Sequence, residues 1–329
     1  MPLVDRFGRT IRKLRISVTD RCNFRCVYCM PAGPIAWLPR HQLLTYEEIT
    51  RLTGIMVGMG VEKVRLTGGE PLARRDIPRL VRLLSGIEGL HSISMTTNGY
   101  FLPPLAQELR QAGLTSVNIS LDTLRRDRFL KITGRDYFDR VMEGIEAADA
   151  AGLPVKINAV VMRDFNDDEI GDFSRWAAET GHAVRFIEFM PLDGDQRWDR
   201  SRVVTAEEIL ARLADVGSVE PVHNDPSEPA RLYRVGLPGA RPAVIGIIPT
   251  VSQPFCRHCD RIRLTAEGRI RNCLFAVEEH DLRTLLRSGA DDATLAEAIA
   301  QAVWIKWEGH LINRPEFRRP AKAMYAIGG

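Results

Sequence analysis

The first two thirds of the chain alternates two patterns of hydrophobic and polar residues. Short runs rich in β-branched residues, nearly continuous in apolar character, predict strands that are covered on both faces. These runs span residues 14–19, 63–68, 92–99, 116–122, 155–162 and 184–190. Apolar residues recur at helical spacing between them, so we predict six βα units. Such a series is typical of a parallel sheet with right-handed crossovers, either an open doubly wound sheet or a barrel.

Start and stop signals bound several of the predicted helices. Thr45 and Glu48 form a capping-box pattern at the start of the first helix. Thr205 and Glu208 repeat that pattern after the sixth strand, and Gly181 is a stop signal before it. The helices are therefore placed between the strands by local signals as well as by periodicity.

The alternation of strand and helix patterns ends at about residue 215. Residues 217–249 are rich in proline and glycine and contain only short β-like pieces, and an amphipathic helix is predicted near residues 294–307. We therefore predict a first domain over residues 1–215 and a smaller C-terminal module over residues 216–329. The fold class is α/β.

All six cysteines of the chain fall into two triplets. The first, C-x3-C-x2-C, directly follows the first predicted strand, and the second, C-x2-C-x13-C, lies in the C-terminal module. The six candidate metal ligands are Cys22, Cys26, Cys29, Cys256, Cys259 and Cys273. Three thiolates are one short of the four that close a zinc site or an iron–sulfur cluster, so each triplet predicts a metal site with one open position. A zinc site completed by a distant histidine is the alternative.

Charge and hydropathy narrow the class of protein. The N-terminus has no apolar leader pattern, and no stretch of 18 apolar residues occurs in the 329-residue chain, so we expect a cytoplasmic protein with no membrane contact. A reducing compartment favours metal ligation over disulfides. The net charge of +3 is too small to indicate nucleic acid, although it allows a small anionic ligand held by local positive charge.

Several motifs resemble those of a known family. The first triplet with Tyr28, followed by "LTGGEP" after the second strand, is similar to the signature of the radical S-adenosylmethionine (SAM) superfamily. There the glycines allow close backbone approach, and Glu70 supplies an acceptor for the ammonium of the cofactor. The segments "TTNG", "NISLDTL", "EFMP", "CDRIRLTAEGRIRNCL" and the terminal Gly-Gly narrow the resemblance to the GTP 3′,8-cyclases of molybdenum cofactor biosynthesis, from about Asp5 to Gly329.

This resemblance implies a fold and a set of site residues. The fold would be an incomplete (β/α)6 TIM-type barrel of the radical SAM class. Each cysteine triplet would hold a [4Fe–4S] cluster, with SAM on the first and GTP on the second. The SAM site would include Tyr28, Gly69, Ser120 and Met190. The GTP site would include Arg15, Lys63, Arg65, Thr96, Lys156, Arg185, Arg261, Ile262 and Arg263, and the terminal Gly328 and Gly329 would reach into the active site.

The basic residues agree with an anionic ligand. Arg15, Arg65, Lys156 and Arg185 lie within strands predicted to be buried, where a charge is costly unless it faces a polar cavity or a partner. A triphosphate is such a partner. Only six of the 45 basic residues are lysines, so the presence of Lys156 in a buried strand is not explained by a high lysine content.

The resemblance also implies a reaction and partners. A 5′-deoxyadenosyl radical would remove hydrogen from C3′ of GTP, and the resulting carbon radical would attack C8 to give 3′,8-cyclo-7,8-dihydro-GTP. The implied partners are GTP, an electron donor such as flavodoxin or ferredoxin, the downstream cyclic pyranopterin monophosphate synthase and a second copy of the chain in a homodimer, with no nucleic acid. The alternatives are a radical SAM enzyme acting on a peptide or RNA, and a zinc-stabilised binding module without catalysis.

Overall fold

Six parallel strands form the centre of the molecule. The computed structural model describes residues 2–328. The six strands are β1 (Lys13–Ser17), β2 (Lys63–Thr67), β3 (Ser92–Thr97), β4 (Ser116–Ser120), β5 (Val155–Val161) and β6 (Ala183–Glu188). All six predicted strands are confirmed, but each ends one or two residues earlier than predicted. The residues that follow each strand leave the sheet and build the loops of the site described below.

Helices connect these strands as the periodicity predicts. They are α1 (Tyr46–Gly58), α2 (Ile77–Ser85), α3 (Leu102–Gln111), α4 (Arg126–Thr133), α5 (Phe138–Ala150), α6 (Ile170–Thr180) and α7 (Ala206–Ala214). Both predicted capping boxes are present, at the starts of α1 and α7, and α6 ends at Gly181 in a left-handed conformation. Within residues 2–328, no helix is both long enough and apolar enough to cross a membrane.

The C-terminal residues extend the same sheet at both ends. They contribute β7 (Ser218–Val222), β8 (Arg231–Gly236), β9 (Ala243–Ile248), β10 (Arg261–Leu264), β11 (Arg269–Arg271) and β12 (His280–Asp281). β9 pairs in parallel with β6, and β10 pairs in parallel with β1, so eight neighbouring strands run in one direction. The remaining helices are α8 (Arg283–Arg287), α9 (Asp292–Trp304) and α10 (Met324–Ile327). One cavity is lined by residues from all eight parallel strands, as a partial barrel requires.

The two faces of the parallel strands differ in polarity. On β1, Leu14 and Ile16 belong to the apolar core under the helices, whereas Arg15 between them lines the cavity. β2 repeats this arrangement with Arg65 on the cavity side. The prediction of strands apolar on both faces is therefore wrong for the inner face. The inner face is polar because it lines a cavity instead of packing against a second layer.

Candidate functional site

Both cysteine triplets line a single cavity. It is enclosed by the parallel strands and by loops of the C-terminal residues, and all six cysteines contribute to its wall. Residues of both triplets and of all eight parallel strands therefore border one continuous space.

The first triplet lies on the loop that follows β1, at the carboxyl edge of the sheet. The glycine-rich segment after β2 holds this loop by backbone hydrogen bonds: Gly69 N donates to Thr19 O at 2.7 Å, and Glu70 N donates to Arg21 O at 2.8 Å. A Cβ atom at position 69 would lie 2.5 Å from Asp20 O. Glycine is therefore required there because the two backbones are in contact.

The three thiols of the first triplet are poorly solvated. Burial raises the pKa of Cys22 to about 12, and it raises the pKa of Cys26 and of Cys29 well above the ordinary value. The nearby carboxylates of Glu70, beside Cys22, and Asp122, beside Cys26, add to this effect. Thiolates form in such a place when a metal cation stabilises them. Three thiols on one loop facing one cavity fit a [4Fe–4S] cluster with an open iron.

Glu70 joins two loops of the site. Its buried carboxylate accepts hydrogen bonds from Thr97 Oγ1 at 2.7 Å, Leu72 N at 3.0 Å and Asn98 N at 2.7 Å. Burial raises the pKa of Glu70 to about 7. Three acceptor positions are therefore taken by the end of β3 and by its own turn. A carboxylate offers about four, so the expected contact of Glu70 with an ammonium stays a prediction.

A second buried carboxylate orders the triplet loop from the opposite side. Tyr28, between Cys26 and Cys29, donates from its hydroxyl group to Asp122 Oδ2 at 2.7 Å. The other carboxylate oxygen of Asp122 accepts from Val160 N at 2.8 Å. These two bonds connect the triplet loop to the ends of β4 and β5.

The second triplet surrounds the base of β10. Cys256 lies in a 3-10 turn (Cys256–His258), Cys259 lies two residues before the start of β10, and Cys273 lies two residues beyond the end of β11. Burial alone would raise the pKa of Cys259, yet the charges of Lys306 and Arg261 bring it below the ordinary value. The second triplet thus has basic surroundings, in contrast to the first.

Three arginines stand side by side across neighbouring strands. Arg15 of β1 is paired in register with Arg65 of β2 on one side and with Arg263 of β10 on the other, and all three line the cavity. Burial, and after it the charges of Arg263 and Arg65, lower the pKa of Arg15 well below the ordinary value. Like charges in register destabilise a sheet unless an anion lies between them.

Arg185 of β6 adds to this positive wall. Its side chain is buried and lines the same cavity, and its Nε has no hydrogen-bond partner among residues 2–328. An unpaired buried guanidinium atom is costly, so this atom marks a place where an anionic or polar ligand gains most from binding.

Comparison with known proteins identifies the family. Residues 16–177 match the family model of the radical SAM superfamily, and residues 182–312 match that of Molybdenum Cofactor Synthesis C. The chain is 48% identical to the GTP 3′,8-cyclase of Rhodopirellula baltica, covering 99% of this chain and 92% of that protein. It is 46% identical to the GTP 3′,8-cyclase of Streptomyces coelicolor, covering 99% and 96%.

The chain belongs to the GTP 3′,8-cyclase family.

Solved structures agree on the fold of this family member. The Streptococcus suis protein SuiB, solved with SAM bound, superimposes with a TM-score of 0.62 at 15% identity, covering 95% of this chain and 77% of that one. Methylornithine synthase superimposes with a TM-score of 0.50 at 19% identity, covering 62% of each chain. At identities this low, the likeness is evidence of the fold alone. Together with the radical SAM family match, it confirms a partial barrel of that type.

Most positions that the family resemblance implies lie on the cavity wall. The lining residues include Tyr28, Gly69, Ser120 and Met190 of the implied SAM site, and Thr96, Arg261 and the four arginines described above of the implied GTP site. Lys63 and Lys156 lie near the amino ends of their strands, Lys63 exposed and Lys156 half-buried. Ile262 is fully buried in the apolar core and is not among the residues that line the cavity, so its implied contact with GTP stays a prediction.

The C-terminal tail of this GTP 3′,8-cyclase family member enters the cavity region. Gly328 is buried in a left-handed conformation with φ +88°. A Cβ atom there would lie 2.7 Å from Thr67 Oγ1 and 2.8 Å from Ser17 Cβ. The predicted tail residue Gly329 lies outside the described residues.

Sequence reasoning assigned no role to several buried polar residues of the site. Asp122 and Asn98 lie just beyond strand ends, and Glu188 begins the quoted "EFMP" motif. Glu188 is fully buried, and its carboxylate accepts hydrogen bonds from Ala206 N, Val251 N and Ser252 N, each at 2.7 Å. The available signal was position, since polar residues directly after buried strands reach the carboxyl edge of the sheet.

Proposed function

We propose that the chain is a radical SAM GTP 3′,8-cyclase that converts GTP to 3′,8-cyclo-7,8-dihydro-GTP, the first step of molybdenum cofactor biosynthesis. One observation carries this proposal: both cysteine triplets line one cavity, and arginines of neighbouring strands line it with them. Full-length identity of 48% to a GTP 3′,8-cyclase supports it.

Cys22, Cys26 and Cys29 would hold the first [4Fe–4S] cluster. When bound, that cluster supplies the electron that cleaves SAM to methionine and a 5′-deoxyadenosyl radical. The chain's own residues keep the loop in place, through Gly69 on one side and Tyr28 on the other. The electron would come from a small donor such as flavodoxin or ferredoxin.

Cys256, Cys259 and Cys273 would hold a second [4Fe–4S] cluster whose open iron faces guanine. The match of residues 182–312 to the Molybdenum Cofactor Synthesis C model and the full-length identity of 48% to a GTP 3′,8-cyclase support this assignment over the zinc-stabilised binding module.

The arginines would bind the triphosphate. Arg15, Arg65 and Arg263 form a continuous row, and Arg185 completes it from the other side of the cavity. A triphosphate would relieve their mutual repulsion and accept their hydrogen bonds. With the phosphates held there, the ribose would lie towards SAM and the base towards the second triplet.

A peptide or RNA substrate fits these observations less well. RNA calls for a broad basic surface, and the net charge of +3 provides little of one. Six basic side chains line the cavity against two carboxylates, Glu70 and Asp122, so the wall of the cavity has a positive balance of charge. The cavity therefore favours a small anionic substrate.

Anaerobic reconstitution tests the proposal. The protein is supplied with iron, sulfide, dithionite, SAM and GTP, and 5′-deoxyadenosine and cyclised GTP are expected to form together. In Cys256→Ser, SAM cleavage without cyclisation is expected, because the first triplet is intact. Formation of 5′-deoxyadenosine without any cyclised nucleotide by the wild-type protein would overturn the assignment and favour another radical SAM activity.

Other features of the proposal concern organisation. We propose a cytoplasmic homodimer that passes its product to cyclic pyranopterin monophosphate synthase, and a boundary near residue 215 between the barrel and the C-terminal module. Because β9 and β10 join the sheet of the first domain, the two parts would unfold as one unit. A single calorimetric transition would support that cooperativity.

A further inference from the structure

Lys306 bridges the two flanks of the second triplet. The residue is only 2% exposed. The ammonium donates to Arg261 O at 2.8 Å, two residues beyond Cys259, and to Asn272 O, directly before Cys273. It also lines the cavity that contains the triplet. The position of this charge is therefore fixed relative to both segments that carry the cysteines.

Both of these hydrogen-bond acceptors are neutral. Backbone carbonyl oxygens satisfy two of the three N–H groups of Lys306 but do not balance its charge. A buried ammonium is costly unless an anion lies near it. The nearby groups on which its charge acts are the thiols of Cys256 and Cys259.

A cluster on the second triplet would supply the missing negative charge. An oxidised [4Fe–4S] core with three thiolate ligands is a net anion, and reduction by one electron makes it more negative. A fixed cation favours the reduced state, because net charge and hydrogen bonding near a cluster set its potential. We propose that Lys306 is the counter-ion of the second cluster and raises its reduction potential. This inference rests on the proposed function, since it requires a cluster at that triplet.

The first triplet has the opposite electrostatics. Its neighbours include the carboxylates of Glu70 and Asp122, and both disfavour added negative charge at the thiols. The cation that faces Cys22, Arg25, has a smaller effect on that thiol than Glu70 does. Positive charge is thus concentrated at one of the two triplets.

The residue type suits the position. A compact ammonium fits between two carbonyl oxygens, and a guanidinium, with five N–H donors, is the other side chain that can bond to both and keep the charge. The chain has only six lysines among 45 basic residues, so a buried lysine here departs from its general use of arginine.

Three variants at this position separate charge from shape. Lys306→Gln keeps N–H donors for the two carbonyls but removes the charge, Lys306→Met removes both, and Lys306→Arg keeps the charge. Lys131→Met is the control, because the Lys131 side chain is 66% exposed. Iron and sulfide analysis of each holoprotein comes first, followed by a redox titration monitored by electron paramagnetic resonance. The signal of the second cluster is identified as the one missing in Cys256→Ser.

The expected result is selective. In Lys306→Gln, the ratio of reduced to oxidised second cluster at a fixed potential falls about tenfold, a shift of about 59 mV to more negative potential for a one-electron couple. The first cluster, Lys306→Arg and Lys131→Met remain near the wild type. If the neutral variants lose the second cluster while the arginine variant keeps it, the charge is needed for cluster binding, which also supports the counter-ion role.

Three outcomes would overturn the inference. The first is eight irons per chain with an unchanged second potential in Lys306→Gln. The second is an equal shift of both clusters, and the third is loss of the second cluster in all three variants, which would mean that shape alone matters. Four irons per wild-type chain would overturn the two-cluster proposal itself, so the two failures are distinguishable.

Discussion

Arg263 donates a hydrogen bond from its buried guanidinium to the carbonyl oxygen of Gly328. The bond connects the end of the chain to β10, inside the row of arginines that would bind the triphosphate. Burial lowers the pKa of Arg263 to about 9, so a neutral carbonyl does not fully compensate its charge. The tail therefore bonds to a guanidinium that, in the proposed function, would also bind the substrate phosphates.

Gly328→Ala is expected to displace the tail. The added methyl group would meet Thr67 and Ser17, in a backbone conformation that L-residues rarely adopt. Misplacement by about 1 Å near reacting groups can cost about 100-fold in rate, so cyclisation should fall by about that factor while iron content stays the same. Gly239→Ala is the control, since Gly239 also has positive φ but nothing lies within 4 Å of an added Cβ. Equal rates in the two variants would contradict the role of the tail.

Arg65→Met is expected to stabilise the ligand-free protein and to weaken its binding of GTP. Burial, followed by the charge of Arg185, lowers the pKa of Arg65 to about 10, so its charged form is disfavoured in the folded protein without ligand. Removing the charge should raise the melting temperature of that protein. GTP affinity should fall by about 10- to 100-fold, because a charge-assisted hydrogen bond contributes about 1.5–3 kcal/mol.

Calorimetry with and without GTP measures both effects of Arg65→Met. The matched control is Arg82→Met, at an exposed arginine 3.8 Å from Glu108, for which neither quantity should change appreciably. A lower melting temperature together with unchanged GTP affinity would contradict a ligand-binding role for Arg65.

The positions of the strands were predictable because apolar side chains on one face of each strand pack under helices. Leu14 and Ile16 are such residues, and the positions of the cysteines relative to β1 followed from them. The alternation of Arg15 with its apolar neighbours was also visible in the sequence. What lies opposite Arg15 was not, because the register that brings Arg65 and Arg263 beside it depends on pairing between strands distant in the chain.

The hydrogen-bond partners of the buried polar residues could not be predicted from the sequence. The motif around Glu70 indicated a cofactor ligand. In the structure its carboxylate accepts hydrogen bonds from Thr97, the last residue of β3, and from Asn98, the first residue of the loop that follows. Lys306 lies 33 positions beyond the last cysteine of the second triplet, and it reaches Arg261 and Asn272 only after the chain folds back. No spacing rule connects residues of this kind.

Asp122→Asn is expected to change how stability depends on pH. Burial raises the pKa of Asp122 from 3.8 to about 6, so between these values the folded state holds a proton that the unfolded state has lost. The stability of the wild type should therefore fall as pH rises from about 4 to 6, by up to about 3 kcal/mol relative to the asparagine variant. Asparagine can keep both hydrogen bonds, with Val160 N and with the Tyr28 hydroxyl group.

Chemical denaturation of both cluster-free proteins at pH 4, 5, 6 and 7 measures the effect at Asp122. The difference in unfolding free energy should grow in favour of the variant up to about pH 6 and then level off. Parallel pH profiles would show that Asp122 titrates normally and that its buried environment is not as described.

Glu188→Gln is expected to release the loop that leads to the second triplet. The carboxylate accepts from Val251 and Ser252, four or five residues before Cys256, and from Ala206 at the start of α7. An amide has one acceptor oxygen in place of two, so buried N–H groups lose their partners at about 1–3 kcal/mol each. Stability should fall by about 2–4 kcal/mol.

Iron should drop from about eight towards four per chain, if each cluster holds four irons. Glu108→Gln, at an exposed carboxylate, is the control and should retain both clusters. Full iron content in Glu188→Gln would mean that the second site forms without this anchor.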